Sequence, residues 1–399
     1  MLINLEGANK KLQSGIPVLL LGFRPFFLLA GLSAVFLILL WGIAYSEGMP
    51  ATAYGSVNWH GHEMIFGFVA AVIAGFLLTA VKNWTGRQTA NGIPLFLLAL
   101  LWLFARILPF FPNVVPYWFV AAIDFLFLPA VAAALAPLLL KTRNYRNLVF
   151  IGILLILAAV NLAFHLSVIG VVEAEPRYTL YAAVYMILLL ISIMGGRVIP
   201  FFIERGLGGD FKRRNIPAID KAASLFLLLL GVLHTTGMTG TVTTVVALIT
   251  AVLHFIRLLS WYGKGVWQVP LLWVLVMAYG WIVAGLFLTA LSMAGVLSTS
   301  LALHALTIGG IGLMTMGMMV RVSMGHSGRE LYAPALMASA FVLMNFAVVV
   351  RVLLPLMLPA TAYPLLVLIS ALLWVVSFAV FVVKMSPIYC SPRVDGRPG

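Results

Sequence analysis

Runs of roughly 20 apolar residues recur along the whole of this sequence, and no other feature constrains its fold as much. Each run is long enough to cross the hydrocarbon core of a bilayer as a helix. A spanning strand would be about half as long and would alternate in polarity, so the pattern excludes a β-barrel. Of 399 residues, 63% are hydrophobic and 9% charged, against about 25% charged in soluble domains. We therefore read an all-α polytopic membrane protein. About twelve spans are predicted, at 25–46, 61–82, 93–108, 116–140, 147–171, 178–202, 219–236, 240–262, 269–293, 298–321, 333–355 and 362–384. No soluble domain fits between them, so residues 1–399 read as one transmembrane helical domain, with 203–218 its longest connector.

Loop charge orients the bundle. The N-terminal stretch carries Lys10 and Lys11, and no small-residue cleavage site follows, so it reads as a retained cytoplasmic tail. Alternate connectors then carry Lys82 and Arg87; Lys141, Arg143 and Arg146; Arg205, Lys212, Arg213 and Arg214; Lys264; and Arg329, before a tail with Arg393 and Arg397. The intervening connectors hold Glu47, or Glu173 and Glu175 with Arg177, or no charge. Both termini are thus expected in the cytoplasm, with odd spans running outward. The net charge of +13 resides in these short loops; it speaks for contact with the lipid bilayer and against nucleic acid.

The single cysteine, Cys390, rules out disulfides within the chain, iron–sulfur clusters and covalent haem attachment. A metal site would have to use His, Met or carboxylate. On the expected topology, His60, His62, His165, His234 and His304 share a layer about 10 Å thick at the outer side. His254 lies deeper, and His326 falls at a cytoplasmic loop. A lone histidine in a membrane helix can simply hydrogen-bond a neighbouring helix, but ionisable residues there usually face the interior and mark function. Arg106, Arg351 and Asp124 join the same layer. The arginines could snorkel to the interface or capture the carboxylates of a bound cofactor.

Spans 2 and 10 share a spacing, H-x4-G-x7-G-x9-[ST]-G-R. It is filled by His62, Gly67, Gly75, Thr85, Gly86 and Arg87, and by His304, Gly309, Gly317, Ser327, Gly328 and Arg329. Two parallel helices could face each other across a non-covalent b-type haem, with His62 and His304 as ligands and the glycines leaving room for the macrocycle.

The strings "GFRPFFLLAG", "WHGHEMIFGFVAAVIAGFLLTAVKNWTGR", "NLAFHL", "GGRVIPFF" and "LHALTIGGIGLMTMGMMVRVSMGHSGR" resemble the NnrS family over most of the chain. The resemblance implies a multi-pass protein of the bacterial inner (cytoplasmic) membrane that contains haem and copper. It would act in nitric oxide metabolism, nitrosative stress and denitrification. His60, His62, His165, His304 and His326 occupy matching motif positions. Val276 in "PLLWVLVMAYGW" stands where many members carry histidine, and it is kept out of the site. The arrangement is also similar, more distantly, to the catalytic subunit of haem–copper oxidases and nitric oxide reductases, with twelve spans and haem histidines from spans 2 and 10. The H-x-x-x-Y copper motif is absent from span 6, which offers Tyr181 and Tyr185, and span 7 offers only His234.

The expected function is binding and reduction or detoxification of nitric oxide, with a quinol or other electron donor. His62 and His304 would hold haem iron, Arg106 and Arg351 the haem carboxylates, and His60, His165 and His234 a second metal, copper. Glu63 would orient a ligand or carry protons. A twelve-span transporter is the alternative; it predicts midplane polar residues, for which Asp124 and Asn161 are the best candidates. A non-catalytic haem sensor or assembly factor is another.

Overall fold

The computed structural model describes residues 15–48, 52, 54–208, 211, 214 and 216–397. Lys10, Lys11, Lys212 and Arg213, four of the cations that set the expected topology, lie outside the described residues. Among the described residues, twelve helices are long and apolar enough to cross a membrane. They are α1 (Phe23–Glu47), α2 (Ser56–Thr85), α3 (Ile93–Phe110), α4 (Tyr117–Lys141), α5 (Tyr145–Val168), α6 (Pro176–Leu207), α7 (Pro217–Thr235), α8 (Thr241–Trp261), α9 (Pro270–Met293), α10 (Thr299–His326), α11 (Ala335–Leu356) and α12 (Ala360–Tyr389). With no strands among the described residues, they make an all-helical multi-pass membrane protein.

Several helices outrun the hydropathy limits because their end turns are polar. The second span starts at Ser56 where 61 was expected, and α6 runs to Leu207 where 202 was expected. The first difference matters for the site: His60 becomes an ordinary helical residue, one turn in from the N-terminus of α2.

Sequential helices pack side by side, and α1 packs along α12, so the first and last spans meet and close the bundle. The most apolar segment of α2 is 83% buried and that of α10 is 72% buried, against 28% for α7. The two helices that share the histidine-glycine spacing therefore form the middle of the bundle. Arg24 of "GFRPFF" holds the closure: its Nη1 donates to the carbonyls of Ile388, Tyr389 and Ser391 at 3.1, 3.1 and 2.6 Å. It thereby caps carbonyls at the end of α12 that have no intrahelical donor.

The glycines of the shared spacing serve helix contacts. A Cβ at Gly75 would lie 2.9 Å from Phe26 and Phe27, one at Gly309 would lie 2.6 Å from Trp281, and one at Gly317 would lie 2.7 Å from Val274. Gly67 backs onto Glu63 and Arg106. The expected space for a macrocycle beside them is thus filled by neighbouring side chains, as is usual for small residues in membrane bundles. The terminal glycines, Gly86 and Gly328, have φ values of 65° and 75° and end their helices in the left-handed conformation.

Both central helices change their winding where the histidines sit. In α2 an α-helical turn ends at His62, and a π-helical segment follows at Glu63–Val69. In α10 the same change occurs at His304, followed by Ala305–Gly312. A third π-helical segment, Val349–Leu353, carries Arg351 in α11.

Candidate functional site

A cavity of about 390 Å³ opens between α1, α2, α6, α10, α11 and α12. This is within the roughly 300–1,000 Å³ typical of small-molecule sites. Its wall is mainly aliphatic and aromatic, and His60, His304 and Arg351 project polar groups into that setting.

The two rings are held in different ways. His304 Nδ1 lies 2.6 Å from the carbonyl oxygen of Ser300, one helical turn earlier, so this nitrogen carries the proton and donates it. Its Nε2 keeps a free lone pair. A backbone carbonyl holding the far nitrogen is the usual arrangement behind a metal-binding histidine. The His60 ring makes no hydrogen bond among the described residues; it stacks on Trp41 with centroids 4.4 Å apart and planes 17° apart. Arg351 is 8% exposed, donates from Nη2 to Ser300 Oγ at 3.2 Å and lies over the Tyr363 ring. Its Nη1 is buried with no partner, leaving one arm of the guanidinium to meet an anionic group.

The expected pairing of His62 with His304 is not what the structure contains. Residues two apart on a helix are rotated by about 200°, so His60 and His62 look out of opposite faces of α2. His60 faces the cavity, and His62 faces α4 and α5. There it enters a buried polar cluster drawn from four consecutive helices.

Asp124 on α4 is the hub. Its Oδ2 lies 3.0 Å from His62 Nε2 and 3.0 Å from His165 Nε2, and accepts from Asn161 Nδ2 at 3.0 Å. Its Oδ1 accepts from Arg106 Nη2. Arg106 Nη1 donates to Glu63 Oε1 at 2.7 Å. The same Glu63 oxygen lies 3.2 Å from His62 Nδ1, and Tyr117 OH lies 2.9 Å from His165 Nδ1. His62, Glu63, Asp124, Asn161 and His165 are each at most 3% exposed, and Arg106 is 6% exposed. One ligand atom from each of His62, Asp124 and His165 falls within 4.8 Å of the others.

This cluster corrects one further expectation. Arg106 does not line the cavity, and both of its terminal nitrogens bind carboxylates of its own chain. Glu63 sits against His62 Nδ1 and Arg106, in the place a group that orients His62 would take. His234 joins neither site. Its Nδ1 lies 2.9 Å from Tyr185 OH and its ring packs on Tyr181, behind the cavity wall.

The deeper His254 belongs to a separate lock between α6, α7, α8 and α9. It meets Tyr279 OH at 2.8 Å, and Arg257 donates to Asp220, Ser192 and the same tyrosine oxygen. His326 contacts Asn83 near the far end of α2. Val276 is buried in α9 away from the cavity. Ser300, Trp41, Tyr54 and Tyr117 were missed in the sequence. Ser300 carried a signal, since it stands four residues before His304 and so one turn below it; the other three meet their histidines only through tertiary packing.

The NnrS protein family profile matches residues 17–393. The chain belongs to the NnrS family. No curated protein matches it. Membership points to a nitric oxide-related membrane protein in a family known for haem and metal binding in general. In this NnrS chain, the described residues contribute one buried His/Asp/His group and one histidine-lined cavity.

Proposed function

We propose that this NnrS chain holds a b-type haem in the cavity, binds nitric oxide there, and reduces or otherwise detoxifies it under nitrosative stress. The observation that carries this reading is the state of His304, with Nδ1 bound to a carbonyl at 2.6 Å and Nε2 free at the cavity wall. Bound haem would supply an iron that takes a diatomic ligand. The chain's part is to place the imidazoles, anchor the carboxylates and keep water away. His304 would be the rigid ligand. His60, held only by stacking on Trp41, would be the second, less firmly held ring. Arg351 would offer its free arm to a haem carboxylate, and the apolar wall excludes bulk water. Electrons would come from a quinol or other donor in a bacterial inner membrane. The copper that the family implies would sit outside this cavity.

The test is the optical spectrum of protein purified from haem-replete cells, before and after addition of nitric oxide. Wild type should show a Soret band that shifts with the gas. His304→Ala should lose the band, and His62→Ala should keep it. A colourless, metal-free wild type would overturn the reading and favour a transporter, and an unchanged spectrum in His304→Ala would overturn the assignment of His304 as the haem ligand.

A further inference from the structure

We propose that His62, Asp124 and His165 form a three-ligand site for a non-haem transition-metal ion, separate from the haem cavity. This deepens the reading above by giving the second metal a place, and it stands on different residues.

The donor atoms are two imidazole nitrogens and one carboxylate oxygen that already converge within 4.8 Å. Each imidazole is braced behind. His62 Nδ1 faces Glu63 Oε1 at 3.2 Å, and His165 Nδ1 faces Tyr117 OH at 2.9 Å. Oxygen partners on the far nitrogens orient metal-binding histidines and leave Nε2 as the ligand atom.

His62 faces oxygens from both nitrogens: Glu63 on one side, Asp124 and Asn161 Oδ1 on the other. Two buried carboxylates, Glu63 and Asp124, converge there on the single guanidinium of Arg106. Two buried oxygens lack partners, Glu63 Oε2 and the hydroxyl of Tyr54. The Tyr54 ring packs against both imidazoles, at 5.2 and 5.7 Å. Orphaned polar atoms of this kind mark a missing ion or water.

The chemistry narrows the ion. Imidazole with carboxylate suits divalent copper, zinc or iron, whereas magnesium and calcium prefer oxygen alone. Three protein ligands leave at least one position open, as in sites that act on a bound molecule.

The experiment uses the full-length, haem-loaded protein in detergent. It is stripped of loose metal with a chelator, reloaded with copper(II) or zinc(II), desalted and assayed for metal. Wild type should retain one ion per chain, and the copper-loaded form should show nitrogen hyperfine coupling by electron paramagnetic resonance. His165→Gln and Asp124→Asn should each lose at least tenfold in retained ion while the Soret band persists. Tyr117→Phe, at a half-buried position that should fold normally, should weaken affinity about 10- to 100-fold. His60→Ala should keep the non-haem ion and change only the haem. A wild type that takes up no ion holds only a proton in the cluster, and that result overturns the proposal, as do variants that retain as much ion as wild type. A missing Soret band with one ion retained would instead refute the haem reading and leave this one intact.

Discussion

Arg106→Lys and Arg351→Lys make the same chemical change at two buried arginines, and the structure requires different outcomes. Arg106 bridges Glu63 on α2 and Asp124 on α4 with two separate nitrogens. An ammonium is a single point charge and cannot occupy both positions. Lysine would therefore lose one charge-assisted hydrogen bond, about 1.5–3 kcal/mol. The carboxylate it releases is at most 3% exposed, and an unpaired buried charge raises the loss toward about 3–5 kcal/mol. With transitions moving about 2–4 °C per kcal/mol in domains of 150–250 residues, and less in a chain this long, a fall of several degrees is expected. Arg351 has one arm on Ser300 and one arm free at the cavity wall. Lysine there should spare stability. On the haem reading proposed above, the bond that Arg351 would give a haem carboxylate, again about 1.5–3 kcal/mol, is lost, and haem retention should weaken about 10- to 100-fold. The assay is a detergent-phase thermal scan at fixed rate, with haem-to-protein ratio measured on the same samples. If Arg106→Lys lost haem and kept its transition temperature, or if Arg351→Lys did the reverse, the assignment of the two arginines would be wrong.

Three other outcomes follow from single contacts or from loop charge. Gly196→Ala should destabilise, because its Cβ would run into Arg257 Nη2 and push that guanidinium off Ser192 and Asp220, whereas Gly152→Ala, with nothing within 4 Å, should be silent in the same thermal scan. Arg24→Met should free the end of α12 and raise protease sensitivity after Tyr389, since three carbonyls lose their donor; equal digestion of both proteins would refute the capping role. Reporter fusions at Gly48 and Gly237 should report the outside and a fusion at Gly209 the cytoplasm; reversal at two of these three sites would invert the topology.

The twelve helices were legible because hydropathy is summed over about 20 residues, so single polar positions hardly move it. The same averaging hid the helix ends, and with them the turn of α2 that holds His60. The shared spacing pointed to His62 and His304 as counterparts, and they are, in that each ends an α-helical turn before a π-helical segment. Equivalent positions in a repeat need not face one another, however. The two histidines look into different surroundings because the helices around α2 and α10 differ. Helical phase, which sets His60 and His62 on opposite faces, was available from the sequence. The identity of what waits on each face was not: α4 packs beside α2 and brings Asp124 to His62, and Asn161 and His165 reach the same ring from α5.

The π-helical segments bear on how the histidines and Arg351 are set in their helices. Such segments change the phase of everything beyond them, and they occur preferentially at functional sites because the extra residue per turn is unfavourable without compensation. Here the three segments follow His62, follow His304 and contain Arg351. No proline lies inside any of them, so proline does not account for them. In α2 the change comes at Glu63, immediately after the two histidines have been presented to opposite sides. A regular continuation would rotate the rest of α2 relative to that turn. It could not keep Glu63 beside His62 and Arg106 while also placing Gly75 against Phe26 and Phe27. The widened turn reconciles the two demands, one from the polar cluster and one from helix packing. Deleting one residue within 64–69 should therefore disturb the Asp124 cluster and the α1 contact together. Deleting one residue within 305–312 should disturb the cavity and leave retention of the non-haem ion unchanged. Loss of both metals in the second deletion would mean that the two sites are a single unit, contrary to the separation of His60 from His62.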